Sequence, residues 1–265
     1  MYDGEKFNYG RWKILSRYPI RILSFSRAIT LWAKRFSLPT LTVQYYYIPP
    51  VTIRSRLDGI RILFWYRGGI DFNDIRRIID PRQVQAFTII DTSDPGQRPL
   101  VICDADRSAY QIQIIRDGFT AREDYLALLN NSTVFIAPRK KEGIGAFTEA
   151  LALGKCVIAY NDAVHNEYIT HGVDGILFDE KTRYVDLSHI DQIGEMAWRR
   201  ACTQHALWTK DCEKIISFIR EPYTVPRPWL PIRVWKYVER IIDTQRKLRY
   251  YARLLGQIAR SKTSS

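Results

Sequence analysis

Between residues 59 and 180 short apolar runs alternate with short amphipathic stretches, and this alternation constrains the fold more than any other feature of the chain. "IRILFWY" (60–66), "VQAFTII" (84–90), "QIQIIR" (111–116), "TVFIAP" (133–138), "KCVIAY" (155–160) and "GILFD" (175–179) have strand length and strand composition. Several are apolar at consecutive positions, the pattern of strands covered on both faces. The intervening "DIRRIID", "AREDYLALLNN", "FTEALALG" and "HNEYITHG" predict helices. Strand and helix in alternation predict βαβ units, hence a parallel sheet between two layers of helix. Residues 51–180 are therefore expected to form a Rossmann-like α/β sandwich. "DTSDPGQRP" is loop, and residues 98–110 carry no assignable period.

The two ends differ from this middle. Ile22, Phe25, Ile29, Trp32 and Phe36 recur at helical steps and predict an amphipathic helix over 18–36. "TLTVQYYYIPPV" predicts a strand ended by Pro49 and Pro50. After Tyr184 the chain reads as two helices, 188–208 and 209–220, which extend the central domain to 51–220. A proline-rich link, "EPYTVPRPWLP", leads to a final helix whose Val234, Val238, Ile241, Leu248 and Leu255 share one face. Residues 1–50 and 221–265 are thus expected to flank one Rossmann-like domain.

Composition narrows the partners. The net charge is +12, and from Lys6 to Leu57 there are ten Lys and Arg and no acid. Such ends suit an anionic membrane surface, a lipid diphosphate or nucleic acid, or form a solvated basic face. No nucleic-acid recognition motif is present, so nucleic acid is not expected as a partner. No apolar run approaches membrane-spanning length, and the first residues show no secretory pattern. Four cysteines without C-x-x-C spacing read as reduced thiols, and a cytoplasmic protein is expected.

The stretch "RKKEGIGAFTEALALGKCVIAYND" (139–162) carries the chemistry. "EGIGAF" joins the strand at 133–138 to the helix at 147–153, beyond a strand's carboxyl end, where parallel sheets bind ligands. Glycines admit a close ligand, and a helix N-terminus offers free N–H groups to phosphates. Glu142 and Glu149 would repel phosphate and need another role. A carboxylate accepts paired hydroxyls well, so Glu149 is expected to take ribose hydroxyls and Glu142 the transferred sugar. Phosphates on amides with sugars on carboxylates describe a nucleotide-sugar.

The same stretch resembles the donor-binding domain of the GT-B glycosyltransferases, the retaining E-x7-E type similar to glycosyltransferase family 4. The resemblance rests on Pro138, Glu142-Gly143-Ile144-Gly145, Glu149-Ala150, Gly154, "CVIAY", Glu167-Tyr168-Ile169 and Asp174-Gly175-Ile176-Leu177, and spans about residues 59–220. It implies transfer of a sugar from a nucleotide-diphosphate donor to a glycan or lipid-linked acceptor with retention, as in surface polysaccharide assembly. It implies no cofactor and no metal requirement. It implies that Arg67 holds the diphosphate and assists catalysis together with Glu142. Gly68, Lys141, Gly143, Ile144, Gly145, Ala146, Phe147 and Glu149 would line the donor.

Three features depart from that pattern. Glu142 and Glu149 are six residues apart rather than seven, which puts Lys141 at the first glutamate's place if Glu149 is held fixed. Phe72 and Asn73 stand where a lysine usually follows the arginine. Residues 1–50 are too few for the acceptor domain and are expected to be its remnant. The alternative to a self-sufficient enzyme is a nucleotide-sugar-binding subunit that depends on a partner chain for its acceptor domain. The enzyme reading places the basic ends at the inner face of the membrane, as a peripheral protein.

Overall fold

The computed structural model describes residues 9–52, 57–92, 99–116, 118–119, 121–138 and 145–222. Six parallel strands form the central sheet: β3 (Ile60–Tyr66), β4 (Val84–Asp91), β5 (Ile112–Ile115), β6 (Val134–Ile136), β7 (Cys156–Tyr160) and β8 (Ile176–Phe178). Their order across the sheet is β5-β4-β3-β6-β7-β8. The chain winds outward from β3 to β5, crosses back, and winds outward again from β6. This is a doubly wound Rossmann-like sheet, and the winding reverses between β3 and β6.

The continuous apolar strands explain the layering. On β3, Ile62, Phe64 and Tyr66 enter one core cluster while Leu63 enters the other. On β6 and β7 the same alternation sends Val134, Ile136, Cys156 and Ile158 to the first face, and Phe135, Ala137, Val157 and Ala159 to the second. Each fully buried large apolar side chain contributes roughly 1.5–3 kcal/mol, so both faces demand cover. Helix α3 (Phe72–Ile78) covers the first face with Phe72, Ile75 and Ile78. Helices α5 (Arg122–Asn130), α6 (Gly145–Ala152) and α7 (His165–Tyr168) cover the second. Buried Lys155 donates to Asn130 O and Ser132 O at 2.9 and 2.8 Å, so its charge meets the carbonyl end of α5.

Four sequence expectations change. The helix expected over 18–36 is instead a short strand β1 (Ile22–Ser24) followed by α2 (Arg27–Lys34), with α1 (Tyr9–Leu15) before them. Ser26 starts α2 as its cap, accepting from Ala28 N, and the strand before it pairs in parallel with β2 (Thr40–Thr42). The expected strand in "TLTVQYYYIPPV" ends at Thr42. Its tyrosines run on as a linker, with Tyr46 fully buried against Tyr168 and its carbonyl held by His205. Residues 104–109 form a helix, α4 (Asp104–Ala109), capped by the Cys103 side chain. The two helices expected after Tyr184 are one, α8 (Ile190–Arg220). The final helix expected after residue 231 lies outside the described residues.

The α8 helix lies close against the turn that follows α6 because Gly194 has no side chain there. A Cβ at Gly194 would lie 2.3 Å from the carbonyl oxygen of Gly154, a backbone atom that cannot turn aside. Gly194→Ala is expected to destabilise the protein by about 1–3 kcal/mol through overpacking, read as a lower thermal midpoint. An unchanged midpoint would mean the helices part freely at this point.

Candidate active site

The reversal between β3 and β6 opens a crevice beyond their carboxyl ends. Phe64 pairs with Ile136 in register, so the segments after Tyr66 and Ile136 leave the sheet side by side. Arg67 and Gly68 follow β3. Gly68 turns the chain at φ 74°, a left-handed conformation that favours glycine. Asp71 then closes a reciprocal capping box with Asp74 and starts α3. Phe72, standing where the family carries a lysine nearby, is buried in the core. Arg76, the described cation nearest that place in sequence, turns to Asn73 and Asp106.

After β6 the chain enters the 139–144 loop, so Lys141, Glu142, Gly143 and Ile144 lie outside the described residues. Gly145 opens α6, followed by Ala146. The Phe147 ring is buried against His165 and Tyr168 at 5.1 and 5.2 Å between centroids, which leaves its main chain alone for a ligand. His165 is a packing residue as well, fixed by Tyr160 O at 3.2 Å and Asp162 at 3.1 Å.

Glu149 lies one turn into α6, its side chain only 7% exposed. The Arg122 guanidinium donates to Glu149 Oε1 at 2.5 Å and to the Tyr47 hydroxyl at 3.2 Å, and lies 5.5 Å from the centre of the Tyr47 ring. Burial raises the Glu149 pKa above the ordinary value, while Arg122 and the Tyr47 and Tyr125 hydroxyls oppose it. Tyr125 lies close enough to favour the ionised carboxylate, yet its hydroxyl closes no hydrogen bond of ordinary geometry among the described residues. The sign is informative. A raised folded value means that stability from Glu149 is full at low pH and is lost as pH rises through that value. An ionised Glu149 at neutral pH is a cost to the fold, as expected of a functional group.

The sequence reading placed Glu149 and missed Arg122, Tyr47 and Tyr125. One local signal was available. Arg122 is the first residue of α5, after Ala121, which makes no side-chain cap. A cation there opposes the helix dipole, and such a local conflict marks a functional position.

Two motif residues are anchors. Asp174 accepts from Thr170 N at 2.6 Å and pairs with Arg200 of α8 at 2.7 Å. Glu167 reaches across to α2, accepting from Ser26 Oγ at 2.8 Å, Arg27 N at 2.7 Å and Ala28 N at 3.1 Å. It ties the β1–α2–β2 unit to the sheet domain through a helix N-terminus. Asp104 and Asp106 belong to the start of α4, with Asp106 held by Cys103 and Arg76. No His, Cys, Asp and Glu group among the described residues could hold a metal. A cavity of about 660 Å³ lies along the edge strand β8, bordered by His171, Tyr184 and Met196. It is two strands from β6, and the convergence of Glu149, Arg122 and the α6 N-terminus favours the crevice as the site.

Residues 85–193 match the family model of glycosyl transferases group 1. The fold is similar to that of Anabaena HepE, solved in complex with UDP and glucose, at 14% identity and a TM-score of 0.58, covering 81% of this chain and 69% of that one. It is similar to a glycosyltransferase from Rickettsia africae at 12% identity and a TM-score of 0.56, covering 84% and 69%. The pneumococcal O-GlcNAc transferase GtfA, in complex with UDP and GlcNAc, aligns at 13% identity and a TM-score of 0.56, covering 80% and 48%. No curated protein matches the chain. Residues 85–193 thus resemble a glycosyl transferases group 1 domain, and the chain shares the Rossmann-like fold of these glycosyltransferases.

Removing the Glu167 carboxylate, as in Glu167→Ala, should cost about 1.5–3 kcal/mol per charged hydrogen bond left unreplaced. Hydrogen exchange of α2 should speed up while exchange of β3 and β6 stays slow. Equal acceleration everywhere would show that Glu167 supports the whole domain rather than this junction.

Proposed function

We propose that the crevice binds a nucleotide-diphosphate-sugar and that the protein transfers the sugar, with retention, to a glycan or lipid-linked acceptor in surface polysaccharide assembly. The observation that supports this reading best is a buried carboxylate, Glu149, one turn inside a helix whose N-terminus faces the switch point. Its oxygens would accept the nucleoside hydroxyls. The α6 amides and the 139–144 glycines would take the diphosphate, and Arg67 would stabilise its charge as the glycosidic bond breaks. Glu142 would take the transferred sugar. The proposed mechanism uses no metal or cofactor, because cationic side chains and helix-terminal amides supply the leaving-group stabilisation. The UDP, UDP-glucose and UDP with GlcNAc bound to the neighbouring structures fit a donor of this class.

Helix α2 shows Arg27, Leu31, Lys34 and Arg35 outward on one face, in a segment without acids. This supports an anionic membrane surface as a partner and a cytoplasmic protein attached at the inner membrane face. No helix among the described residues is long and apolar enough to cross a membrane.

The β1–β2 sheet favours a second reading. Two short parallel strands and two short helices, as described, make a small unit, and in this reading a partner chain would supply the acceptor domain. Turnover by the chain alone separates the two readings from turnover only with a partner.

The first test is thermal stabilisation by UDP, GDP and dTDP, wild type beside Glu149→Ala. A ligand at about 100 times its Kd stabilises by roughly 2.7 kcal/mol. One nucleotide should shift the wild type and not the variant, and no shift by any of them would remove the donor site. Affinity should fall on acidification, beginning above pH 4.5, the ordinary glutamate value, because the raised pKa of Glu149 brings protonation earlier. A flat affinity from pH 8 to pH 5 would show that the carboxylate does not hold the ligand.

A further inference from the structure

Residues 43–50 join β2 to β3, on the N-terminal side of the boundary that the sequence predicts at residue 50. Their backbone is pinned to the sheet domain. Tyr46 is fully buried against Tyr168, with ring centroids 5.3 Å apart, and its carbonyl lies 2.9 Å from His205 Nδ1 on α8. The Pro50 carbonyl accepts from Trp198 Nε1, also on α8, at 3.1 Å. Tyr47 stands between these fixed points, so the sheet domain sets its position. Its hydroxyl accepts from the Arg122 guanidinium at 3.2 Å, and its ring centre lies 5.5 Å from that group. Arg122 in turn donates to Glu149 at 2.5 Å, an open guanidinium (58% exposed) on a buried carboxylate (7%). An exposed arginine loses rotamer freedom when it forms an ion pair, which is why most such pairs are weak. Against a ring and bonded to a hydroxyl, Arg122 has lost much of that freedom already. Titratable groups face Glu149 from two elements: Tyr45 and Tyr47 of the linker, and Arg122 and Tyr125 of α5. Burial raises the Glu149 pKa, and Arg122, Tyr47 and Tyr125 pull it down.

We propose that Tyr47 is a positioning residue of the donor site: from outside the predicted domain it holds Arg122 against Glu149, so that the buried carboxylate stays charged for the hydroxyls of the ligand. This rests on the donor-site reading above and adds the N-terminal segment to that site. The charge matters because a neutral carboxyl presents an O–H where a hydroxyl ligand needs an acceptor. Hydrogen bonds to an ionised group are also roughly twice as strong as neutral ones. Tyr47 touches Arg122 rather than the sugar in this scheme, and Arg122 leaves the carboxylate oxygens able to accept further hydrogen bonds.

The test measures dissociation constants by calorimetry from pH 8 down to pH 5 for UDP, GDP and dTDP. The proteins are the full-length wild type, Tyr47→Phe, Arg122→Met, Arg122→Lys and Glu149→Ala. Tyr47→Phe removes the hydroxyl and keeps the ring. For the base that binds, its affinity at pH 8 should stay within about threefold of the wild type. Its loss of affinity on acidification should begin about half a pH unit higher, the size of one modest hydrogen bond. Arg122→Met, which keeps the cover and loses the charge, should move that loss further. Arg122→Lys, which restores a cation, should bring it back towards the wild type. The phosphate of the nucleotide also titrates at about pH 6, but equally for every protein, so the comparison is between proteins. A Tyr47→Phe profile that superimposes on the wild type overturns the proposal, as does an unmoved Arg122→Met profile. Weaker binding of Tyr47→Phe at every pH, with the acid loss unmoved, makes Tyr47 a purely structural residue and overturns it too. These results leave the donor site standing if Glu149→Ala still abolishes binding. Binding of no nucleotide to the wild type, or binding indifferent to Glu149→Ala, removes the donor site and this inference with it.

Discussion

The reversal of winding between β3 and β6 is the constraint on which the rest of the molecule depends. Strands apolar on both sides must be covered on both sides, and a chain that winds one way covers only one. Turning back after β5 sends α3 to one face and α5, α6 and α7 to the other. The reversal also leaves two adjacent strand ends with their connections departing in opposite directions, the place where parallel sheets bind ligands. The switch point is a consequence of covering the sheet, and Arg67 and Gly68 follow β3 and α6 follows β6 for the same reason.

Electrostatics then divides the acids by their surroundings. Glu167 and Asp174 are fully engaged, one by the amide end of α2 and the other by Arg200 and Thr170 N. Their charge is compensated and they join elements together. Glu149 is buried with one strong partner, itself open to solvent, and its pKa is raised by burial. A carboxylate kept where the fold would prefer it neutral is suited to accept hydroxyls from a ligand that brings its own compensation.

Much of this was legible before any coordinates. Each strand run from 60–66 to 175–179 became a strand within a residue or two at most ends, because sustained apolar runs leave no other buried arrangement. The helix expected at 147–153 after "EGIGAF" starts two residues earlier, at Gly145, since the alanine-rich period begins there. The N-terminal segment was misjudged. Ile22 and Phe25 fit a helical period, but Ser26 caps a helix that starts only at Arg27, and Ile22 gains a ladder partner in Thr40. Residues 104–109 were passed over because their helix is short and polar, with no apolar face to announce it.

By itself the sequence determined the alternation of strand and helix, the two-sided burial of the sheet, and the placement of Gly145 and Glu149 in the first turns of a helix. These are local, set by side-chain periodicity over ten or so residues. Tertiary structure alone decided that β3 lies beside β6, that Glu167 caps a helix some 140 residues earlier, and that Arg122 meets Glu149 across the tops of two helices. Those pairings follow from how layers close over a sheet. No spacing along the chain encodes them, because the distance that matters is the one created when both faces are buried.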